Sequence, residues 1–295
     1  MLRVLMFAAV LLVAGGPVQA AERVRVGILK LTSSAPIFIG VEKGFFQEQG
    51  VDVELTFFRA AAPIATALAA GQIHVGATGL TAALYNIVLG GERIWIVADK
   101  GREWPGYPLT AIVVQKDLCD VKIVPLQAMS ASLEALRGKQ VDAILIPQPF
   151  PGVAEAQGHA KVLVWVCDVL PWQCCCVFYG KKLGADRERA LAFMKGYVKA
   201  SRYYYDAVLR QKDGRIQPGA NHDKVVAITA KHTGASPDVI RVGFPYQDRN
   251  GRFPAEDIEK QMTWWVRHGF MKATIPRREI VDTSFVEAAI QALGE

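Results

Sequence analysis

Four short segments of this 295-residue chain carry polar groups in a pattern suited to gripping a small charged molecule. Thr32-Ser33-Ser34-Ala35-Pro36 follows the β-branched run Val24 to Leu29 and opens a stretch of helical composition. Thr78-Gly79-Leu80-Thr81 stands in the same relation to the run Ile73 to Ala77. At a helix start the first N–H groups have no intrahelical acceptor and the dipole is positive, so such places hold anions. A carboxylate, a sulfonate or a similar group therefore suits Thr32, Ser33, Ser34, Ala35, Thr78 and Gly79; the competing reading is that these residues only cap helices. Pro147-Gln148-Pro149 ends a further buried run, and its two prolines fix the backbone so that Gln148 projects outward as a ligand contact. Lys100, just past the run Ile94 to Ala98, can balance an anion at a crossover. Trp104, Tyr107 and Trp172 lie near the same crossovers and are expected to pack there rather than stack on a ligand.

Groups that would point to catalysis or to a bound metal are missing from the pattern. There is no Gly-rich phosphate loop, no G-x-S-x-G turn and no histidine pair at helical spacing, and the five histidines are scattered. No cofactor and no metal is expected, and the chain reads as a binder rather than an enzyme. The cysteines, Cys119, Cys167, Cys174, Cys175 and Cys176, are odd in number and do not form a disulfide framework. Cys174 to Cys176 fall in a strand-like run whose side chains alternate between faces, so three sulfurs cannot converge on one ion without distorting the strand; buried small hydrophobes is the expected role, with a redox or metal role as the alternative.

The elements that must hold these groups follow an α/β order. Strands are expected at Val24 to Leu29, Val51 to Phe57, Ile73 to Ala77, Ile94 to Ala98, Leu109 to Gln115, Val121 to Pro125, Val141 to Ile146, Val162 to Val166 and Cys174 to Phe178. Between them lie helices: one from Ser33 or Ser34 to Lys43, then Pro63 to Ala70 ending at Gly71, and Ser130 to Arg137 ending at Gly138. Longer helices are expected at Arg187 to Arg210, His222 to Thr233 and Ala255 to His268. Ala67-Leu68 and Gln72-Ile73 repeat as Ala135-Leu136 and Gln140-Val141 at a constant offset of 68 residues, as two lobes on one plan would produce.

At the N-terminus, Arg3 precedes an apolar run from Val4 to Val13, then Gly15, Gly16, Pro17 and Val18-Gln19-Ala20, the order of a cleavable secretory signal cut after Ala20. That run is too short to span a membrane. Export to a periplasm is the expectation. The net charge is +6 and the pI about 9.0, but the basic residues are dispersed, so an anionic small molecule is favoured over nucleic acid.

Ser34-Ala35-Pro36, Glu42-Lys43-Gly44-Phe45-Phe46, Gln49-Gly50-Val51-Asp52-Val53, Gly71-Gln72-Ile73 and Gln140-Val141-Asp142-Ala143 together resemble the nitrate/sulfonate/taurine-type solute-binding proteins, a group that includes binders of thiamine precursors. The resemblance implies a two-lobed type II periplasmic binding fold with parallel-sheet lobes, closing on a small anionic or heteroaromatic solute and docking on the permease of an ABC importer, as a monomer. The expected division is 1–20 signal, 21–104 first lobe, 105–180 second lobe and 181–295 a helical return to the first. The chain departs from the family between Leu118 and Asp120, where Cys119 alone stands in place of a strand, a Gly/Ser-rich loop and a helix, so a reduced second lobe is expected. Alternatives from the same superfamily are a thiamine-pyrimidine synthase-like enzyme, a ligand sensor and a non-binding copy. The lysine and histidine that the synthase uses correspond to Thr78 and Ala82 here.

Overall fold

The structure, a computed structural model, describes residues 23–114, 128–213 and 215–295. The signal segment 1–20, the strand expected at Val121 to Pro125 and the Leu118-Cys119-Asp120 junction lie outside them.

The strands are β1 (Val24–Ile28), β2 (Val53–Phe57), β3 (Val75–Gly79), β4 (Ile94–Glu103), β5 (Thr110–Val114), β6 (Ala143–Pro147), β7 (Lys161–Trp165) and β8 (Trp172–Gly180), with a short separate pair β9 (Gln211–Lys212) and β10 (Arg215–Ile216). The helices are α1 (Ala35–Glu42), α2 (Ala61–Ala69), α3 (Ala82–Leu89), α4 (Met129–Arg137), α5 (Phe150–Ala156), α6 (Val166–Val169), α7 (Lys181–Ala185), α8 (Arg187–Val208), α9 (His222–Thr233), α10 (Pro237–Arg241), α11 (Ala255–Arg267), α12 (Arg277–Ile280) and α13 (Ser284–Leu293). The first lobe is built on the sheet β2-β1-β3-β8-β4 and the second on β6-β5-β7.

Two expectations are corrected by this topology. The run Cys174 to Phe178, assigned to the second lobe with its boundary at 180, is the heart of β8 and sits between β3 and β4 in the first sheet. Nor are the sheets uniformly parallel: β1 is parallel to β2 and β3, β8 is antiparallel to β3 and β4, and β5 is antiparallel to both its neighbours. One device explains both corrections. β3-α3-β4 and β6-α5-β7 are helical crossovers joining parallel strands, and in each lobe a strand from elsewhere in the chain runs back between the two. Local sequence reveals a crossover but not which strand fills its gap.

Alternation along β8 builds the core. Val177 and Tyr179 face α8 and α13 on one side, with Val26, Ile28 and Phe285. Cys176 and Phe178 face the other, with Leu68 of α2, Tyr85 of α3 and Met262 of α11. The chain passes between lobes after β4 and again between α6 and β8.

The 68-residue repeat is matched by structure in detail. Gly71 (φ +68°) and Lys139 (φ +57°) both take the left-handed conformation that closes their helices, so this position falls on Lys139 and not on the expected Gly138. Gly71 N donates to Leu68 O and Gln72 N to Ala67 O; Lys139 N donates to Leu136 O and Gln140 N to Ala135 O. Equivalent bonds close α3 at Gly91 and α5 at Gly158. The repeat is therefore the common helix-to-strand turn of this fold, used several times over.

Candidate functional site

Lys100 is the centre of the arrangement. It lies in β4, where the ladder to β8 slips between Asp99 and Gly101. The slip is held by Asp99, a fully buried carboxylate that accepts hydrogen bonds from Gly101 N (2.7 Å), Gln173 Nε2 (2.8 Å) and Asp248 N (2.8 Å). Gly101 takes φ +129°, open to glycine and strained for other residues, and a Cβ there would stand 3.4 Å from that of Ser33. Lys100 is thereby turned towards the first lobe's opening turn, and its Nζ donates to Ser33 Oγ at 2.8 Å.

The ammonium is sealed from solvent, at 0% exposure. Among the described residues it makes no ion pair, because the Asp99 carboxylate is already committed to its three N–H donors. Burial pushes the Lys100 pKa down, opposed by the nearby Cys175, Cys174 and Asp99.

The second lobe meets this point at Gln148. Its backbone O accepts from Thr32 N at 3.3 Å and its N donates to Leu109 O at 2.8 Å. It is fully buried rather than projecting outward, because the β6 end closes directly onto the Thr32-Ser33-Ser34 turn. Among the described residues, both Gln148 side-chain polar atoms and the buried Thr32 Oγ1 lack a hydrogen-bonding partner. Such groups are costly unless satisfied, which makes Thr32 and Gln148, next to the Ser33 turn that Lys100 reaches, candidates for contact with a polar guest.

Thr32, Ser33, Lys100 and Gln148 are thus brought together from the expected set. Ser34 and Ala35 are adjacent, but their donors are spent locally: Ser34 Oγ donates to Leu29 O (2.8 Å), Ser34 N to Leu31 O and Ala35 N to Thr32 O. The amides expected to greet an anion are therefore occupied by the turn itself. Thr78 and Gly79 belong to β3 rather than following it, opposite Cys176 and Cys175 in the ladder, and Thr78 Oγ1 is buried without a partner.

Sequence reasoning missed Glu103, Gln173 and the meeting of Cys174 with Cys175. Glu103 is buried at the end of β4, accepts from Thr110, keeps Oε2 unpaired and is pushed up to about 7 by burial. Gln173 ties the Cys175 carbonyl (2.6 Å) to Asp99 (2.8 Å). The signal that could have found them is the bulged antiparallel pairing of β4 with β8, which no local pattern reveals. Of the aromatics, Tyr107 packs as expected, its hydroxyl donating to Leu209 O (2.9 Å), and Trp104 lies under the Arg102 guanidinium.

The histidines with recorded contacts are engaged elsewhere: Arg25 N donates to His74 Nδ1, His232 Nε2 pairs with Glu42, His222 with Asp223, and His268 with the Trp264 carbonyl. Among the described residues no group of three or more His, Cys, Asp or Glu side chains is placed to hold a metal ion, and no helix is long and apolar enough to cross a membrane.

Residues 19–103 match the NMT1-like family. No curated protein was found to match the chain. Among solved structures, the ligand-binding component of an ABC-type import system from Staphylococcus aureus, crystallised with zinc bound, superposes with a TM-score of 0.74 at 18% identity, covering 91% of this chain and 99% of that one. The periplasmic nitrate-binding protein NrtA from Synechocystis PCC 6803 gives 0.73 at 13% identity, over 92% and 89%. The periplasmic aliphatic sulphonate-binding protein SsuA from Escherichia coli gives 0.63 at 16% identity, over 90% and 99%. The chain has the periplasmic binding protein fold, and its first lobe carries the sequence pattern of the NMT1-like family.

Proposed function

We propose that this protein is the solute-binding component of an ABC importer, exported to the periplasm, that captures a small anion between its lobes. The observation that carries the reading is the Lys100 ammonium, sealed from water with a single hydroxyl partner in Ser33 and flanked by the unpartnered Thr32 and Gln148 side chains. An anion supplies the charge that the ammonium lacks and acceptors for Thr32 Oγ1 and Gln148 Nε2. Gln148 Oε1 is left to accept a donor on the same solute, which suits a sulfonate, a carboxylate or nitrate bearing or accompanied by an N–H or O–H group. Because Gln148 comes from the second lobe and Lys100 from the first, a guest that bridges them favours the closed state, and closure is the signal a permease reads. The S. aureus, Synechocystis and E. coli proteins support the same reading through their shared fold.

A thermal-shift screen of nitrate, alkanesulfonates, pyrimidines and aromatic carboxylates on the full chain tests it. A binder at a hundred times its dissociation constant adds about 2.7 kcal/mol of stability, readily seen as a rise in Tm. A Tm that stays flat across every anion would sink the reading.

A further inference from the structure

Cys174 and Cys175 are neighbours in β8, yet their sulfurs lie 3.5 Å apart, where a regular strand would send them to opposite faces. The cause is the bulge: Gly101 pairs with Cys175 while Glu103 pairs with Trp172, so three steps of β8 are matched to two of β4. Cys174 Sγ also lies 3.3 Å from Gly101 O, beside Lys100. The other described cysteines stand apart, Cys176 in the apolar core with Ile96 and Phe178, and Cys167 against Asp168. The hydrogen bond from Cys174 and then the Lys100 charge pull the Cys175 thiol below its ordinary range, so it ionises first. Cys174 keeps partial exposure and Cys175 is 9% exposed.

We propose that Cys174 and Cys175 form a reversible vicinal disulfide in the wall of the cleft, by exchange with a low-molecular-weight or protein disulfide. The Cys175 thiolate attacks one sulfur of the incoming disulfide, breaking its S–S bond and releasing one thiolate. Cys174 then loses its proton and attacks the Cys175 sulfur of the mixed disulfide, releasing the second thiolate. The cysteine pair is oxidised by two electrons and the incoming disulfide is reduced to two thiols. Adjacent Cα atoms stand about 3.8 Å apart, short of the usual disulfide span of roughly 4.4–6.8 Å, so the bond is strained and easily reduced. That makes it a switch rather than a staple.

Closing the ring must turn the peptide between the two cysteines. The Cys174 carbonyl accepts from Leu80 N at 2.8 Å and the Cys175 carbonyl from Gln173 Nε2 at 2.6 Å, so oxidation loosens the segment that follows Thr78-Gly79 and the brace on Asp99. A weakened capture of solute follows on the function proposed above, whereas the disulfide and its local effect can be read with no solute present.

The experiment takes the reduced full chain, exposes it to oxidised glutathione, alkylates the remaining thiols and maps the peptides by mass spectrometry, with hydrogen exchange followed at Leu80. The expected result is loss of two hydrogens within the peptide holding Cys174 and Cys175, both unalkylated, reversal by dithiothreitol, and Leu80 exchange faster by about tenfold or more. Cys174→Ser and Cys175→Ser should each trap a glutathione adduct on the cysteine that remains. Free alkylation of both thiols after oxidation, or a linkage from either one to Cys119 or Cys167, overturns the proposal. A disulfide formed with Leu80 exchange unchanged overturns its coupling to the cleft.

Discussion

Replacing Lys100 by methionine separates what the ammonium does for binding from what it does to stability. Among the described residues this charge is fully buried, hydrogen-bonded to Ser33 alone and unmatched by any carboxylate ion pair. Methionine fills similar volume without charge, and such exchanges of buried ionic groups for apolar ones stabilise by about 1–4 kcal/mol. For a chain of this size that corresponds to a Tm higher by about 2–8 °C at pH 7. The gain must depend on pH. Burial lowers the folded pKa of Lys100 below its ordinary range, so between the folded and unfolded values the unfolded chain holds the additional proton, and wild-type stability rises with pH there. Below the folded value the penalty is constant. The advantage of Lys100→Met should thus be larger at lower pH and fade as pH approaches about 10. Melting curves of both proteins without solute, at pH 7 and near pH 10, measure this directly. A variant less stable than wild type at pH 7 would refute the reasoning, because the ammonium would then be a satisfied structural charge and not one awaiting an anion.

Three further outcomes follow from the same geometry. Glu103, pushed up from 4.5 to about 7 by burial, is stable when protonated, so wild-type stability should fall by on the order of 3 kcal/mol as pH rises from about 4.5 through 7, and Glu103→Gln should flatten that part of a denaturation-against-pH profile. Gln148→Ala removes a side chain whose polar atoms have no partner among the described residues, so urea melts should shift by less than about 1 kcal/mol while calorimetric affinity for the anion drops about tenfold. Gly101→Ala places a side chain at φ +129° against Ser33; denaturation should report a loss of about 1–3 kcal/mol, with anion affinity falling alongside.

The helices were the most legible part of the chain. α9 occupies the expected His222 to Thr233, and α8 and α11 end within a turn of expectation, because length, apolar periodicity and groups such as the Asp186 cap and Gly234 are local signals. β3 was placed two residues early, which moved Thr78 and Gly79 from a loop into the strand. The position of β8 was not legible, since its partners are chosen by a topology spanning both lobes. Hence the site was only half visible. Thr32, Ser33, Lys100 and Gln148 could be picked out by residue type at strand ends, and the structure brings them together. The contact of Lys100 with Ser33 across 67 residues, the brace from Asp99 to Gln173 and the meeting of Cys174 with Cys175 all depend on the β4–β8 bulge. The spent amides at Ser34 and Ala35 show the converse: a motif can be read correctly as a helix start while its donors are already used.

On the proposed function, Lys100 is the charge that holds the solute. Isothermal titration of wild type and Lys100→Met with the anion that raises Tm most tests it most directly. Binding to the variant should weaken by about a hundredfold or more, since removing one member of a desolvated charge pair costs about 3 kcal/mol or more. Equal affinity in the two proteins would contradict it.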